Sequence, residues 1–270
     1  AGGVAPRGAP AGAGGERVTA RTYRVVHRTS YRYSATMSDG YTVCCVHPRE
    51  TDVQRVLSAE VTVAPPASST VSYEDVFGNV VHQFGIHEPH DGMAVEAVST
   101  VTVAHRPDPV DPTPWEQVVA ALDTATGDVA TDVATFRGRS HFVDLTALGE
   151  QLRAIAQCAF TPGRGIVDAT AELCRQIAER FEFDSGFSNV STPLADVLAA
   201  RRGVCQDFAH LAVGALRSIG LAARYVSGYI ETSPPPGAPK LVGADASHAW
   251  CAVWTPAVGW VDFDPTNGHL

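Results

Sequence analysis

Cys205, His248 and Asp264 are of the types that together transfer an acyl group. A thiolate attacks a carbonyl, an imidazole moves protons to and from the leaving group, and a carboxylate or amide fixes the imidazole tautomer. The apolar stripe of Phe208, Leu211, Ala212, Ala215, Leu216 and Ile219 predicts a helix that begins at or just before Cys205 and stops at Gly220. The dipole and unpaired N–H groups of a helix N-terminus favour a thiolate and can also receive an oxyanion. His248 and Asp264 follow 43 and 16 residues further along in turn, each on a predicted strand or strand end. Spacing alone is a weak signal, because six cysteines and ten histidines offer many such triples.

Two kinds of element must position these residues. From Thr22 to Val103 the chain alternates apolar and polar residues with period two, clearest at Leu57, Ala59, Val61, Val63 and at Met93, Val95, Ala97, Val101, Val103. Breakers at Ser38-Asp39-Gly40, Ala64-Pro65-Pro66 and Phe77-Gly78-Asn79 make this an antiparallel, sandwich-like β domain over 21–105. A Pro- and Asp-rich linker, 106–112, leads to a second domain over 113–270, where Thr113-Pro114-Trp115-Glu116 reads as a capping box with Pro at the first helical position. Helical spacing recurs at Leu145, Leu148, Leu152, Ile155, at Leu173, Ile177, Phe181 after a cap at Asp168, and at Leu194, Val197, Leu198 after Thr192-Pro193. Three helices thus precede the site, and strands at 224–230, 248–254 and 260–263 follow its helix, an α+β order. Gly203 reads as the tight turn before Cys205, and the loop Ser233 to Ala246 joins the first two strands.

Composition narrows the function classes. With 45% hydrophobic and 18% charged residues the chain reads as soluble and globular, and a net charge of -9 without basic runs argues against a nucleic-acid partner. No apolar stretch approaches the roughly 20 residues of a membrane span, so the expected address is cytoplasmic and no membrane partner is expected. Residues 1–20 open on Ala, Gly and Pro and read as a flexible leader or tag. The cysteines lack CxxC spacing, which points to reduced thiols rather than a disulfide framework or a zinc site, and no metal or cofactor is expected. Cys251 alternates away from His248 and reads as buried and inert.

Four words sharpen this reading: Arg202-Gly203-Val204-Cys205-Gln206-Asp207-Phe208-Ala209-His210, Ala223-Arg224-Tyr225-Val226-Ser227-Gly228-Tyr229, Asp245-Ala246-Ser247-His248-Ala249-Trp250 and Gly259-Trp260-Val261-Asp262-Phe263-Asp264-Pro265-Thr266. In this order they resemble the bacterial transglutaminase-like cysteine hydrolase family over 181–267. Tyr31-Arg32-Tyr33 and Asp75-Val76-Phe77-Gly78-Asn79 look like its β-rich N-terminal domain. The resemblance implies a papain-like, transglutaminase-like core with Cys205 as nucleophile, His248 as general base and acid, and Asp264 as orienter. Asp262 competes for that last role, since alternation puts it on the same strand face, and the family motif favours Asp264. Papain relatives often place an oxyanion-hole Gln about six residues before the nucleophile; here that position is Ala199, so a second oxyanion donor is unassigned.

Gln206 and Asp207 are candidates for positioning substrate or capping the helix, and Tyr229 and Trp250 for substrate contact or cleft wall. His210, five residues after Cys205, reads as a packing residue rather than a base. The expected activity is thioester-mediated hydrolysis of an amide in a peptide, a protein or a small molecule. The alternatives are an amine as acceptor, making a transglutaminase or amide-forming acyltransferase, and a non-catalytic interaction scaffold.

Overall fold

The computed structural model describes residues 20–105, 107–230 and 247–268. The expected leader, apart from Ala20, and the loop from Ser233 to Ala246 lie outside the described residues, as does Arg106 of the expected linker. The chain divides into two compact units at Pro107 and Asp108.

In the first unit, β1 (Ala20–Met37), β6 (His90–Ala104) and β3 (Gln54–Ala64) form one antiparallel sheet in the order β1-β6-β3. A second sheet has the order β2-β5-β4, from β2 (Gly40–Cys44), β4 (Ser69–Glu74) and β5 (Val80–Ile86). Phe84 and Ile86 of β5 pack with Met93 and Val95 of β6, so the apolar rows of the two sheets face each other as in a sandwich. One expected inward residue departs from this pattern. A bulge between Val56 and Ser58 takes Leu57 out of the alternation, and its side chain is 54% exposed.

The second unit opens with α1 (Trp115–Asp123), α2 (Gly127–Ala134), α3 (Leu145–Gln157) and α4 (Ile166–Arg180). A short parallel pair, β7 (Glu182–Phe183) with β8 (Arg202–Gly203), brackets α5 (Leu194–Ala200). Then come α6 (Cys205–Ser218) and the antiparallel sheet β11-β10-β9, from β9 (Ala223–Tyr229), β10 (Ser247–Thr255) and β11 (Gly259–Phe263). Among the described residues five helices therefore precede the Cys205 helix rather than three, because α1 and the short α2 add to those read from periodicity. The expected box at Thr113 does not form: Pro114 takes the N-cap position, and the Glu116 carboxylate accepts instead from Gly163 N–H at 2.9 Å. Asp168 lies in the first turn of α4, whose N-cap is Gly165, whereas Asp144 caps α3 by accepting from Thr146 and Ala147 N–H. Asp111, expected in a linker, is buried and accepts from Thr113 and Ala257 N–H, which ties the entry of this unit to the β10–β11 turn.

Helix α6 is the centre of the unit. From Asp207 to Ser218 every residue except His210 is buried, with α3 on one side and β9 and β10 on the other. Gly214 admits the close approach of Leu152 and Val143, whose carbons would lie 3.0 and 3.1 Å from an added Cβ. Burial of side chains such as Phe208, Leu211 and Leu216 stabilises by about 1.5–3 kcal/mol each. That packing makes the start of α6 a rigid platform.

Candidate active site

Cys205 is the first residue of α6 and is half-buried. The extended Val204 before it leaves the helix to begin abruptly, and the start is held by Asp207, whose carboxylate accepts from Val204 N–H at 2.8 Å and from the Ser188 hydroxyl. Asp207 is 3% exposed, so its carboxylate is spent on anchoring the helix rather than offered to a ligand. Gly203 makes this possible for a reason other than a turn. It has no positive φ, but a Cβ there would lie 2.8 Å from the Asp207 carboxylate oxygen. Anchoring takes the Val204 N–H, while the N–H groups of the first helical turn have no intrahelical partner.

Arg217 near the end of α6 donates to Ala223 O at 2.9 Å, and His210 stacks on Tyr225 at 4.7 Å between ring centroids, so α6 and β9 run antiparallel. Gly228 is the partner of His248 across the β9–β10 ladder.

His248 Nε2 and Asp264 Oδ2 are 2.8 Å apart, with both side chains largely buried. The same carboxylate accepts from Asn267 Nδ2 at 2.5 Å and, through Oδ1, from Thr266 N–H at 2.8 Å and Asn267 N–H at 3.3 Å. Burial alone would push the Asp264 carboxyl up; the bonds from Asn267, His248 and Thr266 outweigh it and hold the group below the ordinary carboxylate range. Asp264 is thus both a turn cap and the partner of His248. Asn267 and Ser188 are not among the site residues expected from the sequence. The Asp-to-Asn spacing of three is the local signal that would have found Asn267.

Asp262 goes elsewhere. It pairs with Ala252, four residues or about 13 Å along β10 from His248, and its carboxyl is pushed up by desolvation, which Arg224 and the Trp250 indole partly offset. Trp250 shares its strand face with His248, the two rings stacked at 6.3 Å, and covers Gly228, where a Cβ would meet the indole at 2.6 Å. Trp250 is therefore a wall beside His248. Gln206 is half-buried as the second residue of α6, Tyr229 is half-buried at the end of β9 with its phenol pushed up by burial, and Ala199 is exposed on α5. Cys251 is fully buried, on the opposite side of β10 from His248. Among the described residues no three His, Cys, Asp or Glu side chains gather to hold a metal, and no helix is long and apolar enough to cross a membrane.

His210 is sandwiched between Tyr225 and Phe142, and burial, with a smaller push from Arg217 against the pull of Asp207, lowers its pKa to about 4. The ring is neutral at pH 7. An unfolded histidine takes up its proton near pH 6.5, so between about 6.5 and 4 the unfolded chain binds more protons, and stability falls as pH falls through that window. The loss from this one group is on the order of 1–3 kcal/mol. Urea unfolding at pH 7 and pH 4.5 should show a smaller loss for His210→Phe than for the wild type; equal losses would contradict the burial of a neutral ring.

Two family models match the chain, the bacterial transglutaminase-like N-terminal region over residues 23–102 and the transglutaminase-like superfamily over residues 154–265. The uncharacterized protein Rv2569c of Mycobacterium tuberculosis is 37% identical over 257 residues, covering 92% of this chain and 79% of that protein. A protein-glutamine gamma-glutamyltransferase of Pseudomonas aeruginosa is 39% identical over 67 residues, 24% of this chain and 10% of that protein. Among solved structures, a candidate cysteine protease from Cytophaga hutchinsonii superposes with a TM-score of 0.71 at 20% identity, covering 93% of this chain and 78% of that one. That likeness is one of fold.

Proposed function

Because this chain belongs to the transglutaminase-like superfamily and carries the bacterial transglutaminase-like N-terminal region, we propose that it is a cysteine-dependent acyl-transfer enzyme that cleaves an amide. The observations that support the reading are the bond between His248 Nε2 and Asp264 Oδ2 and the position of Cys205 as the first residue of a buried helix. With Nε2 committed to the carboxylate, Nδ1 is the ring nitrogen left to exchange a proton with Cys205.

The Cys205 thiolate attacks the amide carbonyl carbon, the carbonyl pair moves to oxygen, and the oxyanion meets the free N–H groups at the start of α6. His248 then gives its proton to the leaving nitrogen, the C–N bond breaks, and a thioester to Cys205 remains. Water, deprotonated by His248, attacks the thioester and expels the thiolate, releasing the acid. Asp264 stays ionised and stabilises the imidazolium formed at each proton transfer. Peptides, proteins and small amides all present the required carbonyl.

A second acceptor is compatible with the same thioester. The Pseudomonas relative is named as a gamma-glutamyltransferase over its short matching stretch, and an amine in place of water would make the corresponding reaction here. A glutamine-containing peptide offered with and without a primary amine, its products weighed by mass spectrometry, separates the two. Hydrolysis adds the mass difference between amide and acid whether or not amine is present, and exclusive formation of the amine adduct would replace hydrolysis by transfer.

A further inference from the structure

The carboxylate of Asp264 is fully subscribed. A carboxylate offers about four lone-pair sites. Here Thr266 and Asn267 N–H meet Oδ1 at 2.8 and 3.3 Å, while Asn267 Nδ2 and His248 Nε2 meet Oδ2 at 2.5 and 2.8 Å. Apart from the imidazole, these donors all come from the turn that Asp264 itself opens. The turn therefore leaves the carboxylate one direction in which to accept, and that direction is His248.

The turn is also held from behind. Gly268 N–H closes it on Asp264 O at 2.9 Å, and Gly268 has a φ of +74°, which glycine adopts without strain. A Cβ at Gly268 would lie 3.4 Å from the Ala178 Cβ and the Arg175 Cα, so the turn rests against α4. Asn267 is exposed, whereas the side chains of Asp264 and His248 are 17% and 11% exposed. The amide is thus the solvent-side donor to the oxygen that Asp264 shares with His248, and it occupies a place that water would otherwise take.

Resting on the acyl-transfer reading above, we infer that Asn267 is a positioning residue for the reaction: its amide holds Asp264 Oδ2 in line with His248 Nε2 and so stabilises the imidazolium that pairs with the Cys205 thiolate. Removing the amide has two opposed effects. With one donor fewer, Oδ2 becomes a slightly stronger acceptor, which favours the imidazolium. Against this, the carboxylate is freer to turn about its Cβ–Cγ bond and to take up water, and a hydrogen bond weakens steeply once its angle falls below about 120°. Burial pushes the Asp264 carboxyl up, and the Asn267 amide is foremost among the bonds that pull it down, so its loss also makes the anion less secure at acid pH. Misalignment and the less secure anion together outweigh the gain in acceptor strength.

A residue that served only to close the turn would leave the thiol's pH dependence alone. The backbone donors of residues 266, 267 and 268 remain in Asn267→Ala, so this variant removes the side-chain donor and keeps the turn. Iodoacetamide is the probe, and its rate at Cys205 relative to the exposed Cys158 is measured by peptide mapping at pH 6 and pH 9.5. At pH 6 the thiolate depends on the imidazolium, whereas at pH 9.5 a thiol with a pKa near 8.5 is ionised by itself. Asn267→Ala is expected to lower the ratio at pH 6 by about three- to tenfold, the scale of one hydrogen bond, and to leave it at the wild-type value at pH 9.5. Asn267→Gln, which keeps an amide donor on a longer arm, should lie between Asn267→Ala and the wild type at pH 6. An unchanged ratio at pH 6, an equal loss at both pH values, or a slower reaction in Asn267→Gln than in Asn267→Ala overturns the positioning role. Failure of the acyl-transfer reading shows separately, as a wild-type Cys205 no faster than Cys158 at pH 6, and the positioning role falls with it.

Discussion

At pH 6, iodoacetamide is expected to alkylate Cys205 at least tenfold faster than Cys158 or Cys45, and His248→Ala is expected to erase that preference and turnover together. Cys158 and Cys45 are the proper comparators because both are exposed, whereas Cys174 and Cys251 are buried and unreactive for want of access. An ordinary thiol with a pKa near 8.5 is only about 0.3% thiolate at pH 6. A thiol paired with an imidazolium at a helix N-terminus reacts as the thiolate, although a stabilised thiolate is also a weaker nucleophile, which removes part of the gain. Peptide mapping of the modified thiol reads the result directly. Equal rates at Cys205 and Cys158 would refute the ion pair. For turnover, loss of either member of such a pair costs on the order of 10⁴–10⁶-fold, the scale found when a nucleophile or its base is removed from a catalytic triad.

Asp264→Asn should lower turnover by on the order of 10³–10⁴-fold, while Asp262→Asn stays within about threefold of wild type. An amide in place of the Asp264 carboxylate can still meet His248 Nε2, but it cannot stabilise the imidazolium and can select the wrong tautomer, and an effect of about 10⁴ is known for that change in the serine-protease triad. Oδ1 can still accept from Thr266 and Asn267 N–H in this variant, whereas the bond from Asn267 Nδ2 to Oδ2 is lost with the His248 contact, so Asn267→Ala is measured beside it to separate the two. Asp262 faces Ala252, Arg224 and Trp250, out of reach of His248. A kinetic ranking with Asp262→Asn as the slower enzyme would assign the orienting role to Asp262 instead.

Much of this arrangement is legible in the chain without any tertiary information. The period-two rows of the first unit, the apolar stripe of α6 with its Gly220 stop, and the three strands after it are local patterns, set by which positions must face a core. Where local signals compete, they mislead. Asp168 reads as a cap, but Gly165 takes that position and leaves Asp168 inside the first turn. Leu57 reads as an inward residue, but a bulge shifts the register by one and turns it out. Gly203 reads as a turn, but it is needed to leave room for the Asp207 carboxylate, a contact that no local rule contains.

The roles of the two neighbouring acids separate what each level decides. The residue types, their order, the helix that opens on Cys205 and the family to which the four words belong are readable from the chain alone. Alternation puts Asp262 and Asp264 on one face of a strand and goes no further, because period two specifies a side and not a distance along the partner. Packing separates them: the β10–β11 register sets Asp262 opposite Ala252, and the turn after Phe263 brings Asp264 to 2.8 Å from His248. Likewise the stack of Phe142, His210 and Tyr225 joins a turn, a helix and a strand that lie far apart in the chain, and only packing around α6 brings their rings together.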